Sequence, residues 1–391
     1  MPSTRLPGTP RLLRALNDRA ALELLLTRGP LTRAQLGEMT GLSKVTASQL
    51  VERLEERGLV SRVGEQAGGR GPNAQLYAVR PGSAHVVGVD VGPDRVVAAC
   101  ADITGEVIGR VEQSTRDTDD PVRVVHDAVV QAAGSAHAQL ASVRRVVLGT
   151  PGLVDPATGD ITFAFNLPRW HRGLLAALRE DLHTPVVFEN DVNLAAIAEA
   201  QSGAAKGVDD FVLVWVGVGV GLAIVLGGRL HHGSTGAAGE IGYLPVPGAP
   251  IPRDVSRRAK PAFQQLAGAD AVRVVAREHG FRGATAADAV RAAIAAGTAG
   301  GPVLDELARR LALGVASTCV VLDPPLVVLT GEIGQAGGAA LADRVQHEVA
   351  AITLVTPRVV TTEVTDEPVL RGALRTALDS VRDEIFGSTL G

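Results

Sequence analysis

The run PVVFENDVNLAAIAEA at residues 185–200 decides how this chain is read. Residues 185–188 have strand character, Glu189-Asn190-Asp191 is a polar triplet, and Leu194, Ala195, Ile197 and Ala198 follow at helical spacing. The triplet therefore sits where a buried strand gives way to a helix. Open α/β sheets bind ligands beyond the carboxyl ends of their strands, where helix N-termini present free N–H groups. An amide, Asn190, and a carboxylate, Asp191, held there on rigid elements are candidate ligand-binding groups. Either is also a good helix N-cap, and the residues alone leave both readings open.

The rest of the chain bounds the class. Its 391 residues allow two or three domains, and 46% hydrophobic residues can bury a large core. Only 3% are aromatic, so Ala, Val, Leu and Gly fill that core and nucleic-acid recognition by rows of stacking aromatics is disfavoured. Cys100 and Cys319 lack a Cys or His at metal-ligand spacing, which argues for a reducing compartment and against a disulfide framework. The opening MPSTRLPGTP has no apolar core of a signal peptide, and no uninterrupted apolar run reaches the ~18 residues of a membrane span. A cytoplasmic protein without a membrane partner is expected. Residues 1–82 carry 12 Lys and Arg against 7 Asp and Glu, a net +5, whereas the rest carries 26 against 35, a net −9. The basic end is the candidate for DNA.

Residues 1–10, punctuated by Pro, Gly, Ser and Thr, are expected to be disordered. Residues 11–82 read as a winged helix-turn-helix. Apolar residues recur at helical spacing over 12–26 and stop at Gly29-Pro30. Thr32 caps a short helix with Ala34, Leu36 and Met39 inward, Gly41 makes the turn, and Ser43 caps a second helix whose apolar face is Ala47, Leu50, Val51 and Leu54. Ser43, Lys44, Thr46, Ser48 and Gln49 stand near its N-terminal end, where a recognition helix reaches base edges and phosphates in a major groove. Residues 59–63 and 75–79 read as wing strands, and the tip between them offers Arg70 to a minor groove. A helical oligomerisation domain with a polar hairpin is the competing reading, but cap, turn, wing and basic charge agree on the first. The expected partner is a double-stranded DNA operator. Such modules work in pairs on half-sites, so a homodimer or homotetramer is expected.

Pro81-Gly82-Ser83 is a short linker, through which movement of the body is expected to reach the head. Residues 85–113 then give strand, Gly turn, strand, turn, strand, with an amphipathic helix over 122–140. The same meander recurs over 210–233, which indicates an internal duplication. Two lobes are expected, residues 83–190 and 191–391, with the C-terminal helix packing back on the first.

FENDVNLAAIAEA, followed by VWVGVGVGLAIVLGGRLHHGSTGAAGEIGYLPV at 214–246, resembles the ROK family of sugar kinases and sugar-responsive repressors. The resemblance covers nearly the whole chain, and the N-terminal head is similar to that of the repressor branch. It implies a winged helix-turn-helix followed by a two-lobed, actin-like (ribonuclease H-like) α/β body of ATPase type, with a monosaccharide or derivative in the interlobe cleft. It implies that Asn190, Asp191 and Glu240 hydrogen-bond sugar hydroxyls, Asp191 standing where the kinases have their base. The loops at 146–155 and 165–173 resemble sugar-contacting loops, so Asn166 is a ligand residue or a turn Asn.

The departures bear on activity. Where the kinases resemble DxGGTK and GTGxG, this chain has Asp90-Val91-Gly92-Pro93-Asp94-Arg95 and Gly217-Val218-Gly219-Val220-Gly221. Both Thr hydroxyls are gone, Pro93 removes an N–H donor, and Asp94 adds negative charge where phosphates would lie. The third nucleotide element, 327–338, keeps Gly331 and Gly334, which leaves adenosine binding open. The family's zinc loop has lost its cysteines, and Tyr243 replaces its His as a ligand or wall residue, so neither metal nor cofactor is expected. The expected protein is a sugar-responsive repressor of carbohydrate-utilisation genes and not an enzyme, with Asp191 a vestigial base. A sugar kinase with an accessory head and a regulator steered by a protein partner are the rivals.

Overall fold

Local signals build the N-terminal head. The structure is a computed structural model and describes residues 10–67, 73–115, 120–163, 173–251 and 261–387. α1 (Pro10–Arg28) leads through β1 (Leu31–Thr32) into α2 (Arg33–Thr40) and α3 (Lys44–Glu56), and the wing follows as β2 (Val60–Gln66) and β3 (Ala74–Val79). Thr32 and Gln35 cap α2 reciprocally, Gly41 ends it at φ 72°, and Ser43 caps α3. α3 buries Ala47, Leu50, Val51 and Leu54, whereas α2 buries only Leu36 and Gly37. Ala34 and Met39 are exposed, contrary to the sequence pattern. The reason is the approach of the helices at Gly37, where an added Cβ would lie 3.3 Å from Ala47 Cβ, turning Met39 outward. Residues 1–9 and Arg70 lie outside the described residues.

The body contains two five-stranded sheets of matching topology. The first is built from β4 (His85–Val91), β5 (Arg95–Asp102), β6 (Val107–Ser114), β7 (Val143–Thr150) and, after the short strands β8 (Leu153–Val154) and β9 (Ile161–Phe163), β10 (Val186–Asn190). α4 (Pro121–Ser135) and α5 (Leu174–Leu182) lie between them in sequence, and α6 (Asp191–Ser202) follows β10. α4 ends at Ser135, short of the expected 140. The second sheet takes β11 (Phe211–Val216), β12 (Val220–Leu226), β13 (Arg229–Leu230), then, beyond α7 (Ala262–Ala267), α8 (Ala269–Glu278), α9 (Ala286–Ala295) and α10 (Gly301–Leu322), β14 (Leu326–Thr330). α11 (Gly331–Ile352), β15 (Arg358–Thr361) and α12 (Pro368–Gly387) complete the chain. The orders β10-β7-β4-β5-β6 and β15-β14-β11-β12-β13 coincide: three antiparallel strands, then two parallel ones. Each meander is thus one half of a duplicated actin-like body.

α12 ties the parts together. It lies on β4 and β7 and runs along α6. Glycine makes that approach possible: a Cβ on Gly372 would collide with the Leu194 carbonyl oxygen of α6, and one on Gly88 would come within 2.9 Å of Leu374 Cγ. Glu199 of α6, fully buried, accepts from the N–H of Ala204 and of Val364 and from the Thr362 hydroxyl, fixing α6 to the segment that enters α12. At its other end α12 joins the head. Leu374, Leu378 and Val381 share one buried cluster with Leu22, Leu54 and Tyr77. Arg19 pairs with Asp383 at 2.6 Å, and Arg57 Nη2 donates to the Ile385 carbonyl at 2.8 Å. Buried Asp18 in turn accepts from Arg53 at 2.5 and 3.2 Å. The linker, a 3-10 turn over Pro81–Ser83, is therefore not the sole connection between head and body.

Gly372→Ala should overpack the contact of α12 with α6 and cost about 1–3 kcal/mol. Gly134→Ala, in α4 where an added Cβ meets nothing, should be neutral or stabilising. Denaturant midpoints of the two variants check this; equal midpoints would rule out the close approach.

Candidate functional site

The cleft site starts at the junction of β10 and α6. Asn190 is the N-cap: its Oδ1 accepts from Val192 N at 2.9 Å and Asn193 N at 3.2 Å. Its Nδ2 donates at 3.0 Å to the Gly152 carbonyl, so the residue also holds the loop after β7. Both functions suggested by its residue type compete for one side chain, and the cap occupies its oxygen. Asp191, the first residue of α6, accepts from Val192 N at 2.9 Å. Burial, with Glu332 as a further negative charge, lifts its carboxyl to about 6.

Two more carboxylates belong to this region. Asp90, the penultimate residue of β4, is pushed to about 7 by burial and then by Asp191. Glu240, which precedes the 3-10 turn Ile241–Tyr243, is likewise raised to about 7 by burial and then by Asp191. Tyr243 is partly exposed, and its hydroxyl is raised by burial and then by Glu240. The structure thus places Asp191, Glu240 and Tyr243 within one electrostatic neighbourhood and adds Asp90 to it. Asn166 lies outside the described residues.

The lobes meet beside these groups. Glu189 Oε2 is 2.8 Å from His232 Nε2, across the cleft, while its Oε1 accepts from Asn193 Nδ2 and Asn190 N at 2.8 Å each. The hydrogen bond to Glu189 raises the His232 pKa against the opposing effect of burial. Gly236, at φ 80°, brings the loop before Glu240 against the Val154 carbonyl of the first lobe, where a side chain would collide.

The two Gly-bearing turns are internally occupied. In the first, Gly92 N donates to the Arg95 carbonyl at 2.9 Å, and Thr115 donates from its hydroxyl to the Pro93 carbonyl at 2.8 Å. In the second, Gly217 N donates to the Gly219 carbonyl at 2.9 Å. Gln264 then spans that turn, its Oε1 accepting from Val220 N at 2.7 Å and its Nε2 donating to the Val218 carbonyl at 2.9 Å. The Glu332 carboxylate lies directly against Gly217. Sequence reasoning placed Asp90 in the first phosphate turn and Glu332 in the third nucleotide element, not among the ligand-binding groups, and missed Glu189, His232 and Gln264 as partners. Only Glu189 carried a signal, its place in the polar triplet. Among the described residues no group of three or more His, Cys, Asp or Glu could hold a metal, and residues 252–260, within the stretch that replaces the zinc loop, are not described.

On the head, Lys44, Thr46 and Gln49 of α3 are exposed and Ser48 is partly buried. Ser43 Oγ accepts from Thr46 N and shares a 2.8 Å hydrogen bond with the Thr46 hydroxyl, so these two side chains cap the helix before they can do anything else. Val45, between them, is 67% exposed and was not singled out by the sequence.

Comparisons with known proteins agree with this layout. A model of the ROK family matches residues 86–379, and a MarR family model matches residues 16–71. The xylose repressor of Bacillus subtilis is 28% identical over 242 residues, 60% of this chain and 61% of the repressor. The DNA-binding transcriptional dual regulator NagC of Escherichia coli is 28% identical, with 59% of its length matched. This chain therefore spans about three fifths of the length of these repressors in the matched region. A glucokinase of Halalkalibacterium halodurans is 30% identical over 67% of this chain and 84% of its own length. Among solved structures, a ROK family transcriptional regulator, a homologue of the E. coli MLC protein, superposes with a TM-score of 0.74 over 97% of this chain and 99% of its own, at 19% identity. That shows the fold, head included.

Burial of Asp90, Asp191 and Glu240 predicts a pH dependence. With pKa values of about 7, 6 and 7 in the folded chain, against ~4 for exposed carboxylates, the folded state binds more protons than the unfolded one in between. The stability contributed is fully present below about pH 4 and is lost as pH rises through about 7. Asp90→Asn and Glu240→Gln should each shrink the loss. Denaturant midpoints at about pH 5 and about pH 8 read it, and a difference as large as in the parent protein would contradict the burial of these carboxylates.

Proposed function

The chain belongs to the ROK family, and we propose that within it this protein is a sugar-responsive, DNA-binding transcriptional regulator that represses carbohydrate-utilisation genes. The observation that carries this reading is the path of α12. One helix packs on α6, whose first residue is Asp191 in the cleft, and shares a buried cluster with the helices of the DNA-binding head. A ligand that alters the seat of α6 bears mechanically on the head.

The effector is a monosaccharide or derivative. Its hydroxyls donate to the carboxylates of Asp191 and Glu240, which stand on opposite sides of the cleft, with Tyr243 as a wall and the remaining Asn190 amide hydrogen as a donor. More of these contacts form when the lobes close, and that difference is what shifts the conformational balance. By linkage, the effector changes operator affinity by the same factor that operator changes effector affinity. Asn166 is assigned to the same pocket by resemblance.

DNA binding falls to α3 and the wing. Lys44 and Gln49 reach phosphates and base edges, Ser43, Thr46 and Ser48 line the same approach, and exposed Val45 is suited to the methyl group of thymine. Arg70 is assigned to the minor groove. Paired heads on a near-palindromic operator, in a homodimer or homotetramer, complete this reading.

Catalysis is not part of it. Phosphoryl transfer depends on positioning the phosphates and neutralising their charge. Here Pro93 has no N–H, Val220 N is committed to Gln264, and Glu332 brings a negative charge to the second turn.

In a fluorescence-anisotropy titration against a duplex selected from random DNA, Asp191→Asn should leave operator affinity within about twofold, as the mutation is remote from α3. The same variant should abolish release or enhancement by the monosaccharide that acts on the parent protein. A retained response at unchanged sugar concentration would overturn the pocket. Incubation of the purified chain with ATP and a panel of hexoses and pentoses should yield no sugar phosphate above background; turnover at the ~1–100 s⁻¹ of working kinases would reinstate the rival reading.

A further inference from the structure

The second lobe carries a concavity lined by none of the cleft residues named above, of about 280 Å³, between the C-terminal half of α8, the loop that follows it and the start of α9. Arg273, Arg277 and Arg282 line it together with Phe281, Gly283 and Ala289. Arg273 and Arg277 are one turn apart on the exposed face of α8, and Arg282 reaches the same space from the loop. Three guanidiniums converge there, and among the described residues none of the three pairs with a carboxylate. Asp288, the acidic residue closest in sequence on α9, is committed to Thr285 and Arg291. Glu278 ends α8 beside Arg277 and is exposed.

The concavity is built, not incidental to a solvated helix face. Arg273 is anchored by a hydrogen bond of 3.2 Å from Nη2 to the Ala284 carbonyl, which fixes one wall. Gly283 lies so close to α9 that an added Cβ would come within 2.5 Å of Ala289 N, so the floor exists only because this residue is Gly. Phe281, partly buried in the lobe core, closes one side with an apolar edge.

The geometry points to a binding site for a small phosphorylated metabolite, held by its phosphomonoester group. Guanidinium forks match phosphate oxygens in bidentate pairs, and a tetrahedral dianion can take donors from three directions, which a planar carboxylate cannot. The volume, about 280 Å³, falls just below the ~300–1,000 Å³ of small-molecule sites, which suits a phosphate with a short organic body against Phe281. This inference does not rest on the DNA or sugar reading, because none of its residues belongs to α3 or to the cleft.

Calorimetric titration of the full chain with glycerol 3-phosphate and with inorganic phosphate, at constant ionic strength set with sodium chloride, tests it. Saturable binding of glycerol 3-phosphate is expected, and the inorganic arm distinguishes a site that needs the organic body from one that takes the bare ion. Arg277→Ala and Arg282→Ala should each weaken binding roughly tenfold or more. Arg277→Lys, which keeps the charge and loses the fork, should weaken it less. Thermal melting without ligand should be unchanged in all three, since the residues are exposed. Absence of saturable binding would overturn the proposal, as would undiminished affinity in the two Ala variants.

Discussion

Everything in this molecule depends on how closely α12 can lie against α6. Gly372 admits the Leu194 carbonyl where any side chain would collide, and Gly88 lets the helix settle onto β4 at Leu374. The buried Glu199 carboxylate, supplied with three donors, fixes the end of α6 to the segment entering α12. An unpaired carboxylate at that depth would be costly, so the chain must return to this position to satisfy it. Because the far end of the same helix is buried among head residues and held by Arg19 and Arg57, cleft and head share one rigid element. A flexible linker would have uncoupled them.

The cleft is acidic and sparsely compensated. Burial and then Asp191 raise the proton affinity of Asp90 and Glu240, burial and Glu332 raise that of Asp191, and Glu189 meets His232 of the second lobe at 2.8 Å. Such a lining accepts hydrogen bonds and repels phosphates. The same preference appears in the turns, where Gln264 and the backbone take up the donors and Glu332 sits against Gly217. A family that includes both a glucokinase and repressors among this chain's relatives can thus divide its functions without changing its sheets. In this chain the N–H groups of Gly92, Gly217 and Val220 are taken up within the two turns.

Much of the fold was legible because its signals are local. The capping box of Thr32 and Gln35, the left-handed Gly41, the Ser43 cap and the apolar face of α3 are settled within a few residues, so the helix-turn-helix can be read directly. The same holds for the strand-to-helix junction at Asn190 and for the repeated meanders, whose alternation and Gly turns are sequence properties. Even here tertiary packing intervened: Met39 has the spacing of a core residue and is exposed, since α2 meets α3 through Gly37.

The sequence by itself determined the two meanders, the duplication, the head and the polar triplet where β10 gives way to α6. Only the tertiary structure decided who partners whom over distance: Glu189 with His232, Val220 with Gln264, Arg19 with Asp383, and Arg273, Arg277 and Arg282 around one concavity. It also decided that Asn190 spends its oxygen on a helix cap and its amide on Gly152. The physical reason is one of range. Propensity, capping and periodicity act between residues a turn or a strand apart, whereas a hydrogen bond between residues 43 or 364 positions apart exists only once packing has fixed both backbones.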